Sequence, residues 1–497
     1  MQKSEGMEPP TSMPLTQLLI RGLPLSMAPL SASDAQIPPA VFPFSERDFW
    51  TAVVAASNDH AWRRGCKHVT SSRSLRVSVV GCSTTAGCGA NDPEQFCSYD
   101  RSWVRHMHDG IQTRMGRDAV VKTSVYAKNA VGPGFFRFCT QDMVAGNTDV
   151  VLIEMMQNLF AEDGFAGAVK KVFSNLLVAL RKAAPLSVPV FVNWLAPRQL
   201  RAWQGSRTYK EARAAAEQHG ADWLDTPSLL RLHNRTREMW YAHRGRDHHP
   251  NQIGHALLGR FTAWYLAHRL RPDQCALGPP NEHPRSIMRS ASVGFLQDSS
   301  DDFDHSEACY PAANLLPVHR LKGNWSLLNE GVEKGVAKIG YVSRQIGDAL
   351  DMTLVVRSQN QSTGQYRCAV AFKARLGFLL SSRPGQGALD LSCVGCKCSG
   401  PAKAFQRSFT PFPTVQTDAL LVSFDRGETR YGGPREGGNS ISVTSTTTVT
   451  VSAPAVSPKH CWLRVKHIAS KSPRSNASRV RVDSLTLYSI AARTTPC

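Results

Sequence analysis

Between about residue 46 and residue 273, short apolar runs alternate with amphipathic stretches. Leu75-Arg76-Val77-Ser78-Val79-Val80 predicts a strand ending at Gly81, and Ser102 to Met115 predicts a helix. Val120 to Tyr126 reads as a second strand. Asp149 to Met155 is a third, apolar enough to lie inside a parallel sheet. Gly164 to Ala183 places Phe165, Val169, Val172, Phe173, Leu176, Leu177 and Leu180 on one stripe at helical spacing. Val188 to Leu195 is a fourth strand, Tyr209 to His219 a polar helix, and Ala221 to Leu224 a short fifth strand. Asn251 to Leu270 closes the region as a helix with an apolar face. Strand–helix alternation of this kind predicts a parallel sheet covered on both sides.

The texture changes on either side. Residues 1–45 carry Pro, Ser and Met with little periodicity and read as a poorly ordered leader. Residues 276–307 read as a linker, with Gly278-Pro279-Pro280, a Ser-rich stretch and the acidic run Asp298 to Glu307. Beyond it come short segments rich in Val, Thr, Leu and Ser: Leu350–Val356, Tyr366–Phe372, Ala419–Phe424, Ser440–Val451, Trp462–His467 and Val480–Ile490. Short strands between Gly/Pro turns predict a β-sandwich. The expected division is therefore 46–275 for the α/β domain and 308–497 for an all-β one. The length of 497 residues fits this, at about 100–200 residues per domain.

Composition narrows the class. An apolar fraction of 42% excludes a wholly disordered chain. No run approaches the roughly 20 apolar residues that span a bilayer. The net charge of +19 is shared between the halves, +9 in residues 1–300 and +10 in 301–497, so it is not a basic tail. A diffuse positive field favours anionic polymers or surfaces, acidic glycans included. No helix-turn-helix, zinc-finger or RNA-binding signature accompanies it, so no nucleic-acid partner is expected. Thirteen cysteines and acceptor triplets at Asn234, Asn324, Asn360 and Asn476 lean towards a secreted or secretory-pathway protein. The N-terminus is not a clean signal peptide, because Arg21 interrupts Leu18-Leu19-Ile20; Met7, Met13 and Met27 are alternative starts.

In a parallel α/β sheet the reactive groups gather at the carboxyl ends of the strands. Gly81-Cys82-Ser83 follows the first strand, Ala130-Val131-Gly132 the second, and Met156-Gln157-Asn158 the third. Arg246-Asp247-His248-His249-Pro250 precedes the last helix. Taken singly, each has an ordinary explanation. Ser83 would cap a helix after strand one, and Gly132 would serve a turn. His249 competes with His243, His248 and His255 in a histidine-dense stretch whose spacing lacks the order of a metal site.

Taken together, a serine, a glycine, an asparagine and a histidine in this order resemble the SGNH (GDSL-type) hydrolases, over residues ~70–270. The resemblance implies a three-layer α/β/α, flavodoxin-like domain with a parallel sheet and carboxylic ester hydrolase activity without metal or cofactor. It implies Ser83 as nucleophile, His249 as general base, and an oxyanion hole of the Ser83 N–H, the Gly132 N–H and the Asn158 side-chain amide. A hydroxyl needs an imidazole to take its proton, and one preorganised donor at the developing oxyanion contributes about 2.7–4 kcal/mol. The segment Gly323-Asn324-Trp325 to Gly340-Tyr341, with Ser392-Cys393, is similar to the jelly-roll-like β-domain joined to SGNH enzymes in algae and some other eukaryotes.

The sequence departs from the family pattern in three places. Cys82 stands where an Asp usually precedes the serine, Leu159 where an Asp follows the asparagine, and Arg246 where an Asp lies three residues before the histidine. Either Asp247 orients the imidazole from a shifted loop, or the site runs as a Ser–His dyad. Cys82, Cys88 and Cys97 are expected to supply a disulfide near the site, and Cys393, Cys396 and Cys398 to brace a β-loop rather than hold zinc. The function expected is hydrolysis of O-acyl esters on a small molecule or a glycan. The alternatives are an O-acyltransferase using the same residues and a glycan-binding protein that has lost activity.

Overall fold

The structure, a computed structural model, describes residues 44–271 except 57–58, 92–94, 117, 129–131, 138–139, 160–167, 198, 202, 204, 233–238 and 243–248. It also describes 306–496 except 311–315, 330–338, 355–356, 360–365, 370, 381–387, 395–402, 405–413, 424–461, 469–479 and 490–493. All but the last two residues of the expected leader, most of the expected linker and the expected strand 440–451 lie outside the described residues.

The first region opens with α1 (Glu46–Thr51), β1 (Val53–Val54), α2 (Asp59–Ser72) and β2 (Ser74–Gly81). A hairpin of β3 (Cys88–Asn91) and β4 (Gln95–Cys97) follows, then α3 (Trp103–Met115), β5 (Val120–Ala127) and two single turns, α4 (Pro133–Phe136) and α5 (Thr140–Met143). Next come β6 (Val150–Glu154), α6 (Met156–Leu159), α7 (Ala168–Ala183), β7 (Val188–Asn193) and α8 (Arg207–Gln218). β8 (Asp222–Asp225), α9 (Thr226–Leu232) and α10 (Gln252–Arg269) complete it.

One sheet runs β1-β8-β7-β6-β2-β5. Its five long strands are parallel. Their spatial order, second-first-third-fourth-fifth, is that of a flavodoxin-like domain. The sheet is not wholly parallel: β1 adds an antiparallel edge, pairing Val53 with Leu224 and Val54 with Trp223. A two-residue strand is too short to leave an alternation in sequence.

Both faces of the sheet are buried, which explains why its strands read as continuous apolar runs. On β2, Val77 and Val79 enter a core with Trp62, Trp103, Leu257 and Phe261. Val80 enters the opposite core with Phe173, Leu177, Phe191 and Trp223. All five residues of β6 are buried. On the side of the first core the Asp222 carboxylate accepts from the Ala56 N–H at 2.9 Å, from Trp62 Nε1 at 2.8 Å and from the Tyr265 hydroxyl, tying β8 and the chain after β1 to α2 and α10.

The expected helices form where capping groups allow. Ser102 accepts from the Arg105 N–H at the start of α3, and Gly116, at φ 87°, ends it. Asn251 accepts from the Gly254 N–H to start α10. α10 was expected to show one apolar face, yet it is buried nearly all round, because α3 crosses it closely. A Cβ on Gly259 would come 2.5 Å from the Trp103 carbonyl, and one on Gly110 2.9 Å from Ala263 Cβ.

In the second region the strands among the described residues pair antiparallel. Val318–Lys322, Ala349–Thr353, Trp462–Ile468, Ala388–Val394 and Lys403–Ala404 form one sheet. Ser326–Asn329, Ile339–Ser343, Val480–Ser489, Ala371–Leu380 and Thr414–Ser423 form another, which Ser306–Tyr310 joins. Along Trp462–Ile468 burial alternates, with Leu463 and Val465 buried beside Leu350 and Met352, and Val342, Leu376 and Val482 are buried in the second sheet. A sheet with one apolar face needs a second layer, so the β-rich expectation stands on packing as well as pattern. Trp325 is buried, a core residue. A Ser–Asp–His trio lies here too: the buried Ser343 hydroxyl donates to Asp348 at 2.8 Å and sits 2.9 Å from His467 Nδ1. With the hydroxyl shared between the two and no exposure, it fastens a turn to the neighbouring strand.

Candidate active site

β2 delivers its carboxyl end into a tight turn. The Cys82 N–H extends the parallel ladder to the Glu154 carbonyl at 3.0 Å, and the chain then folds back through Ala86 N–H to Cys82 O and Cys88 N–H to Ser83 O. Gly81 is needed for this return, since a Cβ there would lie 1.9 Å from Thr85 Oγ1 and 2.8 Å from the Glu154 carbonyl. The serine therefore does not cap a helix. The hairpin β3–β4 intervenes, and Ser102 caps α3 instead.

Ser83 and His249, 166 residues apart in sequence, meet here. His249 Nε2 lies 2.9 Å from Ser83 Oγ. Ser83 is 6% exposed and His249 3%. The histidine is held from both sides of the chain. Its carbonyl accepts from the Ala242 N–H at 3.0 Å, and the next residues bridge to Trp240 and Tyr241. Gly89 of β3 packs flat beneath it at φ 87°, where a Cβ would come 2.3 Å from the Pro250 carbonyl and 3.0 Å from His249 Cβ.

His255, one of the competing histidines, has a different place. Its Nδ1 accepts from the Trp103 N–H at 3.1 Å and its Nε2 donates to the Cys88 carbonyl at 3.0 Å, which fixes a neutral ring. Complete burial pushes its pKa down to about 3, against the Cys88 carbonyl bond that favours the cation. It thus joins α10 to the first turn of α3 and to the hairpin. The Cys88–Cys97 disulfide closes that hairpin, as expected near the site. Cys66 and Cys393 are also disulfide-bonded, while Cys396 and Cys398 lie outside the described residues.

Two polar residues not singled out from the sequence stand behind Ser83. Glu154, the last residue of β6, is fully buried. Its carboxylate accepts from the Thr85 N–H at 3.1 Å, the Thr85 hydroxyl at 2.9 Å and the Cys82 thiol at 3.3 Å. Burial pushes its pKa up to about 7, against these donors, and burial together with the Glu154 charge pushes the Cys82 thiol well up. Gln157, in α6, donates from Nε2 to Ser83 Oγ at 2.9 Å and to Cys82 Sγ at 3.3 Å. A lone carboxylate ending an apolar strand was the available signal for Glu154. Gln157 left none beyond its place beside Asn158.

Of the other expected site residues, Gly132 is half-buried just ahead of α4, after β5. Asn158 lies in α6 directly after Gln157, and its side chain is outside the described residues. Asp247, with Arg246, His243 and His248, also lies outside them.

No family model matches this chain, and no curated protein sequence does. Among solved structures it is similar to a two-domain esterase (CEX) active on acetylated mannans. The identity is 11% over 89% of this chain and 99% of that one, with a TM-score of 0.51. The same esterase co-crystallized with mannopentaose gives 12% identity over 90% and 99%, also at 0.51. At such identity the likeness is one of fold. The chain shares the fold of that two-domain esterase, a parallel α/β region followed by a β-rich C-terminal one.

Proposed function

We propose that this protein is a serine ester hydrolase that removes short O-acyl groups from a glycan. The observation that carries the reading is the 2.9 Å contact between Ser83 Oγ and His249 Nε2 at the carboxyl edge of the sheet. His249 takes the Ser83 proton as Oγ bonds to the acyl carbon, then gives that proton to the departing alcohol. Water, deprotonated by the same imidazole, attacks the acyl-enzyme and releases the acid with Ser83 restored. The Ser83 and Gly132 N–H groups and the Asn158 amide are assigned to the oxyanion, and Asp247 to His249 Nδ1. No step calls for a metal or cofactor.

The substrate class rests on the fold partner, an esterase active on acetylated mannans. It also rests on the positive charge of the chain. A protein that only binds glycans has no need of a serine hydroxyl held on an imidazole, which sets the hydrolase above that alternative. Transfer to a second alcohol uses the same residues and is separated by product analysis with an acceptor present. Disulfides at Cys66, Cys88–Cys97 and Cys393 support folding in an oxidising, secretory compartment. Among the described residues no helix is long and apolar enough to cross a membrane.

A serine-directed phosphonate is expected to label Ser83, and Ser83→Ala and His249→Ala to abolish acetate release from acetylated mannan and from p-nitrophenyl acetate. Undiminished hydrolysis by Ser83→Ala would overturn the reading.

A further inference from the structure

Cys82 replaces the acid usual before an SGNH serine, and the structure shows what it touches. The Gln157 side chain is 6% exposed. One of its amide protons goes to Ser83 Oγ at 2.9 Å and the other to Cys82 Sγ at 3.3 Å. The Cys82 thiol in turn donates to Glu154, 3.3 and 3.5 Å from its two oxygens. Glu154 is anchored by Thr85, and the Gln157 backbone carbonyl accepts from Gln199 Nε2 at 3.0 Å. Gln157 Oε1, by contrast, is buried with no hydrogen-bond partner among the described residues. The orientation of this amide therefore depends on its two N–H contacts, and Cys82 is the one that does not react.

We infer that Gln157 is a further oxyanion donor, aimed by Cys82, for the ester hydrolysis proposed above. Before reaction, the Ser83 hydroxyl donates to His249 and accepts from Gln157. When Oγ bonds to the acyl carbon it becomes an ester-like oxygen and a poor acceptor. The former carbonyl oxygen, attached to the same carbon, then carries the negative charge. A small rotation brings the Gln157 N–H from Oγ to that oxygen, where a bond to a charged acceptor is roughly twice as strong. The interaction is strongest in the transition state, so it raises kcat and leaves KM nearly alone. The cysteine supplies what a carboxylate at position 82 would not. Its sulfur accepts from the amide while its proton goes to Glu154, so no second anion lies beside the developing one.

This inference rests on the hydrolase reading, and the experiment separates the two. Gln157→Met keeps the length and removes the donor; it is expected to lower kcat on p-nitrophenyl acetate about 10²–10³-fold. KM should stay within about threefold, and phosphonate labelling of Ser83 should slow in parallel with kcat. Cys82→Ala should lower kcat about tenfold at unchanged KM, with Cys82→Ser restoring part of it. Thermal unfolding checks each variant; if Gln157→Met does not fold, Gln157→Glu is read instead, since it puts an acceptor where the donor stood. A Gln157→Met enzyme with near-normal kcat, or with the loss confined to KM, beside an inactive Ser83→Ala, overturns the role of Gln157 and leaves the hydrolase standing. An active Ser83→Ala overturns the hydrolase itself.

Discussion

Thr85 donates twice to one oxygen of Glu154, through its backbone N–H at 3.1 Å and its hydroxyl at 2.9 Å. The bonds lock the turn carrying Ser83 to the end of the neighbouring strand, at the cost of a fully buried carboxyl group. Burial outweighs the donors and raises its pKa from 4.5 to about 7. A group whose pKa is raised on folding favours the folded state most below its unfolded value and loses that contribution as pH climbs through the folded one. Glu154→Gln does not titrate. Its stability relative to the parent is expected to rise between pH 4.5 and about 7, by about 3 kcal/mol, and then level off. Thermal or denaturant unfolding across that range checks it; a flat difference would mean the carboxyl does not change state there.

His255 acts with the opposite sign. Its pKa falls from 6.5 to about 3 on burial. The unfolded chain thus takes up a proton that the folded one refuses, and stability drains away as pH falls from 6.5 towards 3. His106, lowered to about 4 by burial, drives in the same direction. His255→Phe is expected to flatten part of the acid limb. At neutral pH it should cost about 1–3 kcal/mol for each of the Trp103 N–H and Cys88 carbonyl left unpaired.

Gly89→Ala should disable the site more than it unfolds the protein. Its Cβ would meet the Pro250 carbonyl at 2.3 Å and His249 Cβ at 3.0 Å. Displacing the imidazole is expected to lower kcat about 10²-fold. Gly116→Ala is the control: φ is also 87° but nothing lies within 4 Å, so only backbone strain of about 1–3 kcal/mol is expected, with activity intact.

Replacing Cys88 and Cys97 by Ser should cost about 2 kcal/mol through the loss of a short cross-linked loop. Cys88 also offers its carbonyl to His255, and Gly89 backs His249, so kcat is expected to fall while KM changes little. Parallel unfolding and kinetic measurements separate the two effects.

Asp247→Asn tests the third member of the proposed triad. An orienting carboxylate predicts a loss of about 10⁴ in kcat through the wrong imidazole tautomer. A loss under about tenfold would leave His249 oriented by another group.

The five parallel strands were legible because strands buried on both faces must be apolar throughout, as Val150-Val151-Leu152-Ile153 is. Ser83 and His249 were legible as a pair only through the order of four blocks, since nothing local links residues 166 apart. The hairpin β3–β4 was not legible: Cys88-Gly89-Ala90-Asn91 has neither alternation nor β-branched residues, and a disulfide and a close approach to Pro250 hold it instead. The Glu154–Cys82–Gln157 cluster escaped for a related reason. Each member looks ordinary alone, and only the parallel pairing of Gly81 with Glu154 sets them side by side.

The glycine crossing of α3 and α10 has a mechanical consequence. With Gly110 and Gly259 removing the side-chain cushion, the helices cannot slide past one another without backbone collision. His255 grips both α3 and the hairpin from within α10. The hairpin therefore follows the pair as one stiff unit, which steadies the reactive gap from behind in addition to the bonds that hold Ser83 and His249 directly.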